Sequence, residues 1–299
     1  MTDGRDRLLA EREVRQDCVS GTASAALHGL LDAPGDPPRP GEALPPLWHW
    51  LAFLPDQAQR FLGADGHPMV GSFIPEERPP RRMFAGGRIA FAGDLVVGRT
   101  IKRSSRATSV TSKEGKTGSL LFVEVTHDLR TEGGGVVTDT QDIVYRQADT
   151  APSPSSEQLP APSPSSEQLP APAPVERPDA TWSIELLPTP TLLFRFSALT
   201  YNAHRIHYDR PYATGTEGYP GLVVHGPLQA IGLAEVVRRH LPSRRIASFT
   251  FRARQPAFDG SPILLCGRLA EVDTVELQAV SGASGTTMTA TATLTPPID

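Results

Sequence analysis

The sequence has little cysteine, no long apolar run and no excess of positive charge. Its two cysteines, Cys18 and Cys266, lie far apart and belong to no CxxC or Cys/His spacing that would indicate a zinc site. No apolar segment reaches the length that crosses a membrane, and the N-terminus is too charged for a secretory signal. The formal net charge of −4 provides no basic field for nucleic acid or an anionic membrane. These features predict a soluble, cytoplasmic protein without a bound metal, nucleic acid or membrane.

A proline-rich segment divides the chain into two parts. The sequence APSPSSEQLP at 151–160 recurs without change at 161–170, and residues 151–178 contain nine prolines and no aromatic residue. Because this composition offers nothing from which to build a core, we expect an extended linker over 150–178. The parts on either side, 1–149 and 179–299, are each long enough for a domain with its own core.

The part after the linker is predicted to contain one long helix followed by an antiparallel sheet. Pro227–Leu241 has proline at its first position and apolar residues at helical spacing, so the helix should be mostly buried. Trp182–Leu187 is expected to form a strand, and Leu192–Phe196 is expected to be an approach to the candidate site. Four further strands are predicted at Ile246–Ala253, Ile263–Glu271, Val275–Val280 and Thr287–Leu294. A long buried helix with an antiparallel sheet wrapped around it is the α+β hot-dog arrangement.

The first part is predicted to be a second, degenerate copy of the same fold. Residues 1–32 should be helical, and short apolar runs should form strands at Ile89–Phe91, Leu95–Ile101, Leu120–Val125 and Val136–Tyr145. Glycine-rich turns are expected at Gly86-Gly87, Lys113–Gly118 and Gly133–Gly135. We therefore expect a double hot-dog, with two sheets that each wrap a long central helix and an N-terminal copy that acts as a support.

Two features of the first part have more than one interpretation. In the segment PLWHWLAFL (46–54), His49 lies between two tryptophans, which fits either the wall of a cleft or a buried aromatic anchor. Basic residues cluster at Lys102, Arg103 and Arg106, and again at Arg78, Arg81 and Arg82. Each cluster fits a phosphate site, but a solvated sheet edge is the favoured interpretation.

The segment Phe196–Leu228 contains three of the eight histidines, His204, His207 and His225. Adding water across a double bond conjugated to a thioester needs a base for the water, an acid for the α-carbon and donors for the thioester oxygen. His207 suits proton transfer at neutral pH. Gly226, at the start of the predicted helix, offers a bare N–H beside the helix N-terminus, and Asn202 is placed to orient water or an imidazole. The segment therefore predicts a hydratase site for a thioester.

This segment resembles the MaoC-like, (R)-specific enoyl-thioester hydratase/dehydratase family, whose motif is roughly S-G-D-x-N-P-I-H-x-D, followed by an apolar run into His-Gly. The chain has Ile206-His207-Tyr208-Asp209 and His225-Gly226 at matching positions. A closer similarity, over about 44–146 and 180–299, is to the double hot-dog branch that contains mitochondrial type 2 hydroxyacyl-thioester dehydratase and the bacterial mesaconyl-C4-CoA and itaconyl-CoA hydratases. The stretches PLWHW, SALTYNAHRIHYD and EGYPGLVVHGPL account for it. The resemblance implies a catalytic histidine at His207 and a thioester-oxygen-binding amide at Gly226.

The chain departs from the family motif at Asn202, where the family has its catalytic aspartate. Asn202 cannot transfer a proton, so either His207 performs both proton steps or another carboxylate takes part. Glu217, in a glycine-rich loop, is the favoured carboxylate, whereas Asp209 is expected to cap or pair with a neighbouring arginine. The residues expected to bind substrate are Tyr201, Arg205, Tyr208, Val224 and His225, of which His225 is expected chiefly to support the loop that holds Gly226.

The leading functional prediction is a cofactor-free hydro-lyase that hydrates a C4–C5 dicarboxylic enoyl-CoA, mesaconyl-C4-CoA or itaconyl-CoA, to citramalyl-CoA. Arg205 suits the free carboxylate of such a substrate. The alternatives are an (R)-3-hydroxyacyl-thioester dehydratase of fatty-acid or polyketide synthesis, a thioesterase, and a non-catalytic acyl-CoA-binding protein. A homodimer is preferred to a monomer.

Overall fold

A computed structural model of the chain describes residues 2–115, 118–147 and 179–297. We refer to the residues before and after the predicted linker as the N-terminal half and the C-terminal half. The linker predicted at 150–178 lies outside the described residues, so it stays a prediction. The four helices are α1 (Thr2–Ala10), α2 (Gly21–Leu30), α3 (Pro190–Leu199) and α4 (Gly226–His240). The strands are β1 (Arg12–Asp17), β2 (Arg81–Phe91), β3 (Ile101–Gly115), β4 (Gly118–Thr131), β5 (Val136–Arg146), β6 (Trp182–Leu186), β7 (Ile246–Ala253), β8 (Ile263–Glu271), β9 (Thr274–Ser281) and β10 (Gly285–Leu294).

The strands form one continuous antiparallel sheet in the order β1-β3-β4-β5-β2-β7-β10-β9-β8-β6. Strand β2 of the N-terminal half pairs with β7 of the C-terminal half, with Arg88 opposite Thr250, so the expected two sheets are joined edge to edge. Helix α4 packs against β6 to β10, and every residue from Leu228 to Val237 is buried. This is the α+β double hot-dog predicted from the sequence.

The N-terminal half differs from the expectation of a second long central helix. Helix α2 has ten residues and contacts α3 and the turn at Trp48–Leu51. Ser20 caps its first turn by accepting a hydrogen bond from the N–H of Ala23 at 3.1 Å. The helix ends at Leu30, and Asp32, two residues later, has a left-handed φ of 45° that no α-helix continues through. Residues 12–17, expected to be helical, form β1 instead, with the alternating exposure of an edge strand beside β3.

One predicted turn is wrong, and one segment whose conformation was not predicted is helical. Gly86-Gly87 does not form a turn but lies within β2, between β5 and β7. A Cβ at Gly86 would lie 2.6 Å from the carbonyl oxygen of Phe251, so glycine permits a close approach of the two backbones. Leu192–Phe196, expected only as an approach to the site, belongs to α3, because Pro190 and the capping side chain of Thr189 start a helix there.

The segment Leu95–Ile101 also departs from the sequence prediction. It is irregular except for the bridge of Val96 with Ala43, and β3 begins only at Ile101. The later predictions for the C-terminal half are accurate, since β7 and β8 match their expected bounds and β9 and β10 contain theirs. Within the part of the chain that the structure describes, no helix is long and apolar enough to cross a membrane.

The aromatic turn at Trp48–Leu51 anchors the loop that follows it. Trp48 and His49 are buried. The side chain of Asp139 on β5 accepts a hydrogen bond from Trp50 Nε1 at 2.8 Å and lies 3.3 Å from His49 Nε2. The anchor interpretation of His49 is therefore correct, and His49 and Trp50 also line a cavity.

Candidate active site

A cavity of about 1180 Å³ lies between the two halves. Its walls come from the loop after Trp50, from β2 and β5, and from the segment between α3 and α4. Two of the nine predicted site residues, Arg205 and His225, are not part of its lining. The seven that line it are Tyr201, Asn202, His207, Tyr208, Glu217, Val224 and Gly226.

His207 is the last residue of the short 3-10 turn Arg205–His207, and a hydrogen bond of its imidazole ring holds it in place. Its Nδ1 lies 2.7 Å from the carbonyl oxygen of Val223, which only an N–H can satisfy, so Nδ1 carries the proton and Nε2 is an acceptor. Burial lowers the pKa of His207 to about 4, against the opposing effect of that hydrogen bond. At neutral pH the side chain is therefore an uncharged imidazole whose free nitrogen can accept a proton.

His225 supports His207 from behind. The two rings stack with centroids 3.7 Å apart and planes 19° apart. His225 is fully buried, and its Nε2 lies 2.9 Å from Ser197 Oγ. Burial holds the pKa of His225 well below its ordinary value, so it is neutral. The structure therefore places His225 in a supporting position and not among the residues that can contact a substrate directly.

Gly226 is the first residue of α4, and its N–H has no acceptor within the helix. The chain before it is fixed by a hydrogen bond of 2.8 Å from the N–H of Val224 to the carbonyl oxygen of Ala257. A Cβ at Gly226 would meet only Phe84, at an ordinary 3.6 Å. The helix N-terminus thus opens on the cavity with a positive end and a bare N–H, which suits a developing oxyanion.

Asn202 follows α3 and faces the cavity with its amide nitrogen available. Its Oδ1 accepts the backbone N–H of His204 at 3.0 Å, so Nδ2 is left as a donor. Its own N–H donates to the carbonyl oxygen of Ser197 at 2.8 Å. Tyr201, just before it, has a positive φ of 49° and an exposed side chain at the cavity. Asn202 can orient a water or a carbonyl, but it cannot move a proton.

Glu217 is tied to the N-terminal half and is not free to act alone. Its Oε2 lies 3.1 Å from Arg81 on β2, and its Oε1 accepts from the hydroxyl of Tyr212 at 3.2 Å. Burial and the neighbouring Glu217 raise the pKa of Tyr212 to about 12, so this hydroxyl remains a donor. A carboxylate with two committed donors is better suited to holding Arg81 in the wall of the cavity than to proton transfer.

Arg205, expected to bind the substrate carboxylate, makes its hydrogen bonds to other groups of the protein. Its guanidinium donates to Asp209 Oδ2 at 2.9 and 2.8 Å and to the carbonyl oxygen of Ala64 at 2.9 Å. It also lies over the ring of Tyr212, 4.0 Å from the centroid. These contacts fold the arginine away from the cavity and satisfy Asp209, which pairs with a neighbouring arginine as predicted. Tyr208, at the rim, donates to the carbonyl oxygen of Ala203 at 3.0 Å.

A loop of the N-terminal half that sequence reasoning missed brings Asp65 and His67 to the same cavity. Asp65 Oδ2 lies 3.0 Å from His67 Nδ1, and the His67 ring packs on His204 with centroids 3.9 Å apart. Burial alone would raise the pKa of Asp65, but hydrogen bonds from His67 lower it to about 2. Burial and the two neighbouring histidines lower the pKa of His204 to about 2.

The loop is docked on the histidine-rich segment by specific contacts. The N–H of Arg205 donates to the carbonyl oxygen of Asp65 at 2.8 Å. Gly66 has a φ of 89°, and a Cβ there would overlap the carbonyl oxygen of Ala203. The ligand atoms of Asp65, His67 and His204 lie within 4.8 Å of one another, which is compatible with a divalent ion held by two imidazoles and a carboxylate.

The two basic clusters have different environments. Arg81 and Arg82 lie at the start of β2, where this strand pairs with β5 but not yet with β7, and both are only partly exposed. Both line the cavity. In the other cluster, Arg103 pairs with Glu13 at 2.8 Å and Arg106 pairs with Asp128, so those charges are balanced by neighbouring strands.

Comparison with known proteins supports the family suggested by the motif. The family model of hydroxyacyl-thioester dehydratase type 2 matches residues 47–259. Mesaconyl-C(4)-CoA hydratase of Chloroflexus aurantiacus is 44% identical over 287 residues, which cover 96% of this chain and 96% of that protein. The mitochondrial hydroxyacyl-thioester dehydratase type 2 of Schizosaccharomyces pombe is 44% identical over 81 residues, 26% of this chain and 27% of that one.

Among solved structures, a MaoC-like dehydratase from Phytophthora capsici matches with a TM-score of 0.68 at 15% identity and covers 98% of this chain and 99% of that chain. At this identity the match shows the fold alone, and it agrees with the double hot-dog. The sequence relatives confirm the hydro-lyase class expected from the histidine-rich segment. The chain belongs to the hydroxyacyl-thioester dehydratase type 2 family.

Proposed function

We propose that this protein reversibly hydrates an enoyl-CoA whose acyl group is a C4–C5 dicarboxylic acid, of the mesaconyl-C4-CoA or itaconyl-CoA type, to a citramalyl-CoA. The observation that carries the proposal is the arrangement of His207, a neutral imidazole with a free Nε2, in the same cavity as the unpaired N–H of Gly226. The dicarboxylic acyl group is supported by the similarity, along almost the whole chain, to a protein named mesaconyl-C(4)-CoA hydratase.

The thioester is activated at the start of α4. Its carbonyl oxygen accepts the N–H of Gly226, where the helix N-terminus favours negative charge. As water adds to the β-carbon, the double-bond electrons move towards the thioester and the oxygen gains charge. A donor aimed at that oxygen lowers the barrier because it interacts more strongly with the enolate than with the substrate.

His207 transfers the proton in both directions. Its Nε2 takes one proton from the attacking water while the water oxygen bonds to the β-carbon. The resulting imidazolium returns a proton to the α-carbon, so that H and OH have been added and His207 is neutral again. Because burial lowers the pKa of His207 to about 4, the imidazolium is a stronger acid than usual and gives up its proton readily.

The remaining residues position the reactants. Asn202 Nδ2 orients the water, which accounts for an amide where the family motif has an aspartate. Tyr201, Tyr208 and Val224 surround the acyl group. Glu217 acts through Arg81 as a positioning residue. The CoA thioester is the expected partner, and a homodimer and a cytoplasmic location stay predictions.

The test measures hydration of mesaconyl-C4-CoA, itaconyl-CoA and crotonyl-CoA. Loss of the ultraviolet band of the conjugated enoyl thioester reports the reaction of mesaconyl-C4-CoA and crotonyl-CoA. Chromatographic detection of citramalyl-CoA reports that of itaconyl-CoA, whose double bond is not conjugated to the thioester. The proposal predicts turnover of a dicarboxylic substrate by the wild type and a loss of about 10²- to 10⁴-fold in kcat for His207→Ala. His28→Ala, which changes a histidine outside the cavity lining, is the matched control and should keep full activity. Full activity in His207→Ala would contradict the assignment.

A second candidate function follows from the family itself. The type 2 family model supports dehydration of (R)-3-hydroxyacyl thioesters, and the site described here would run that reaction with the same groups in reverse. Turnover of crotonyl-CoA with none of either dicarboxylic substrate would favour this candidate. Tight binding of thioesters without any turnover would instead favour a non-catalytic acyl-CoA-binding protein.

A further inference from the structure

Arg82 is a cavity-lining arginine on β2 that is only partly exposed. Among the residues that the structure describes, its guanidinium makes no hydrogen bond and no ion pair. None of its nitrogens is among the buried polar atoms without a partner, so the guanidinium opens on the solvent of the cavity. An arginine kept in this state in the wall of a cavity is therefore available for an anion that enters from outside.

The other cavity arginines are already engaged. Arg15 pairs with Asp56 at 3.0 Å, Arg81 with Glu217 at 3.1 Å and Arg103 with Glu13 at 2.8 Å. Arg254 donates to Thr289 Oγ1 at 3.1 Å, and Arg146 also interacts within the protein. Arg82 therefore differs from all five in the absence of an acceptor.

Two acidic residues that line the cavity together with Arg82 are engaged by other groups. Glu217 is held by Arg81 and Tyr212, and Asp65 is held by His67. Arg82 itself is close enough to His67 and His204 to lower their pKa values, as a smaller contribution after burial. The surroundings of Arg82 thus contain neutral imidazoles and committed carboxylates, and its positive charge is not cancelled within the site.

The position of Arg82 along β2 relates it to the thioester-activating end of α4. Arg82 and Phe84 are two residues apart, so their side chains project from the same face of the strand. Phe84 is the residue that a Cβ on Gly226 would contact, at 3.6 Å. Two residues of a strand span about 7 Å, and the two carboxyl carbons of a C4 dicarboxylic acyl group are about 4 Å apart. The difference between these two lengths is about 3 Å, which an arginine side chain is long enough to cover.

From this geometry we infer that Arg82 binds the free carboxylate of the dicarboxylic acyl group and selects it over uncharged acyl groups. The inference rests on the proposed function and deepens it, since it assigns to Arg82 the role that the sequence suggested for Arg205. A guanidinium presents paired N–H donors that match both oxygens of a carboxylate. Binding at Arg82 would fix the double bond between that anchor and the N–H of Gly226.

The test separates binding from catalysis by using saturated acyl-CoA thioesters that cannot be hydrated. Dissociation constants for succinyl-CoA and butyryl-CoA are measured by calorimetry with wild type, Arg82→Gln, Arg82→Lys and Arg254→Gln. We expect Arg82→Gln to weaken succinyl-CoA binding roughly 10- to 100-fold, the range for a hydrogen bond to a charged group, with butyryl-CoA unchanged. Arg82→Lys should recover part of the loss, because it restores the charge without the paired donors.

Arg254→Gln is the matched control because it removes another cavity arginine, whose bond to Thr289 is internal. It should change both dissociation constants by the same factor or not at all. An unchanged ratio of the two constants in Arg82→Gln would overturn the inference, whether both bind as before or both weaken equally. If that ratio changes as expected but mesaconyl-C4-CoA and itaconyl-CoA are not hydrated, the proposed function fails while the carboxylate site stands.

Discussion

The two halves of the sheet contain the same kind of antiparallel strands, but different structures pack beside them. In the C-terminal half the long helix α4 is buried against β6 to β10 and carries Gly226 at its start. In the N-terminal half, α2 is short and the loop after Trp48–Leu51 reaches the cavity with Asp65 and His67. In the proposed function the C-terminal half holds the reacting groups, and the N-terminal half shapes the cavity and supplies Arg82 for the substrate carboxylate.

Among the variants that test the comparison of the two halves, the largest effect is expected from removing the N–H at the start of α4. Gly226→Pro should lower kcat about 10²- to 10³-fold, the usual loss when an oxyanion donor is removed. Proline is tolerated at the first position of a helix, and the extended ψ of 131° at His225 is compatible with it. The assay is the loss of the enoyl band at saturating substrate.

Gly226→Ala is the control for that variant, because it keeps the N–H and adds a methyl group near Phe84 alone. Its kcat should stay within about tenfold of the wild type. Equal losses in the two variants would mean that space at Gly226 matters and the N–H does not, and the C-terminal half would lose its assigned oxyanion donor.

A smaller effect, on stability more than on activity, is expected from disrupting the contact between the halves. Gly66→Ala places a Cβ against the carbonyl oxygen of Ala203 at a left-handed φ of 89° and should lower the free energy of unfolding by about 1–3 kcal/mol. Urea unfolding measures this. Gly35→Ala, at a φ of 76° with nothing within 4 Å, isolates the cost of the backbone conformation and should lose less. A similar loss in both would show that the loop is not closely docked on the histidine-rich segment.

The last expected effect concerns pH. Burial lowers the pKa of His207 and of His127 to about 4 from 6.5. Because the unfolded chain binds these protons more readily, the folded state is fully stabilised above pH 6.5 and loses stability as the pH falls from 6.5 towards about 4. Thermal unfolding followed from pH 7.5 to pH 5 should show Tm falling across this window.

The contributions of the two halves to this pH dependence can be separated in the same experiment. His127 belongs to the N-terminal half, where its Nδ1 lies 2.7 Å from Ser105 Oγ, whereas His204, His207 and His225 belong to the C-terminal half. His127→Gln should therefore remove only a minor part of the fall in Tm. A Tm that is independent of pH in the wild type would show that the buried histidines do not contribute.

The local parts of the fold and site could be predicted because their signals are contiguous in sequence. The periodicity of Pro227–Leu241 located α4, and the Ile206–Asp209 motif located His207. Strands β7 and β8 were bounded correctly for the same reason, since each is a short apolar run between turn residues.

What could not be predicted depends on contacts between distant segments. Gly86-Gly87 resembles a turn until the close approach of β7 explains it. Arg82 resembles a solvated residue until the fold places it in the wall of the cavity. The signal for His67 was weak, a turn-like GADGHP segment with no periodicity. Arg205 was assigned to the substrate because the sequence alone does not show that its guanidinium donates to the carbonyl oxygen of Ala64.

The most direct test of the account compares hydration of mesaconyl-C4-CoA by the wild type and by Asn202→Asp. The account assigns both proton transfers to His207, so the wild type should turn over and Asn202→Asp should stay within about tenfold of it, because the aspartate would only add a second proton acceptor. Turnover that appears only in Asn202→Asp would contradict the account, because the native chain would then bind thioesters without hydrating them.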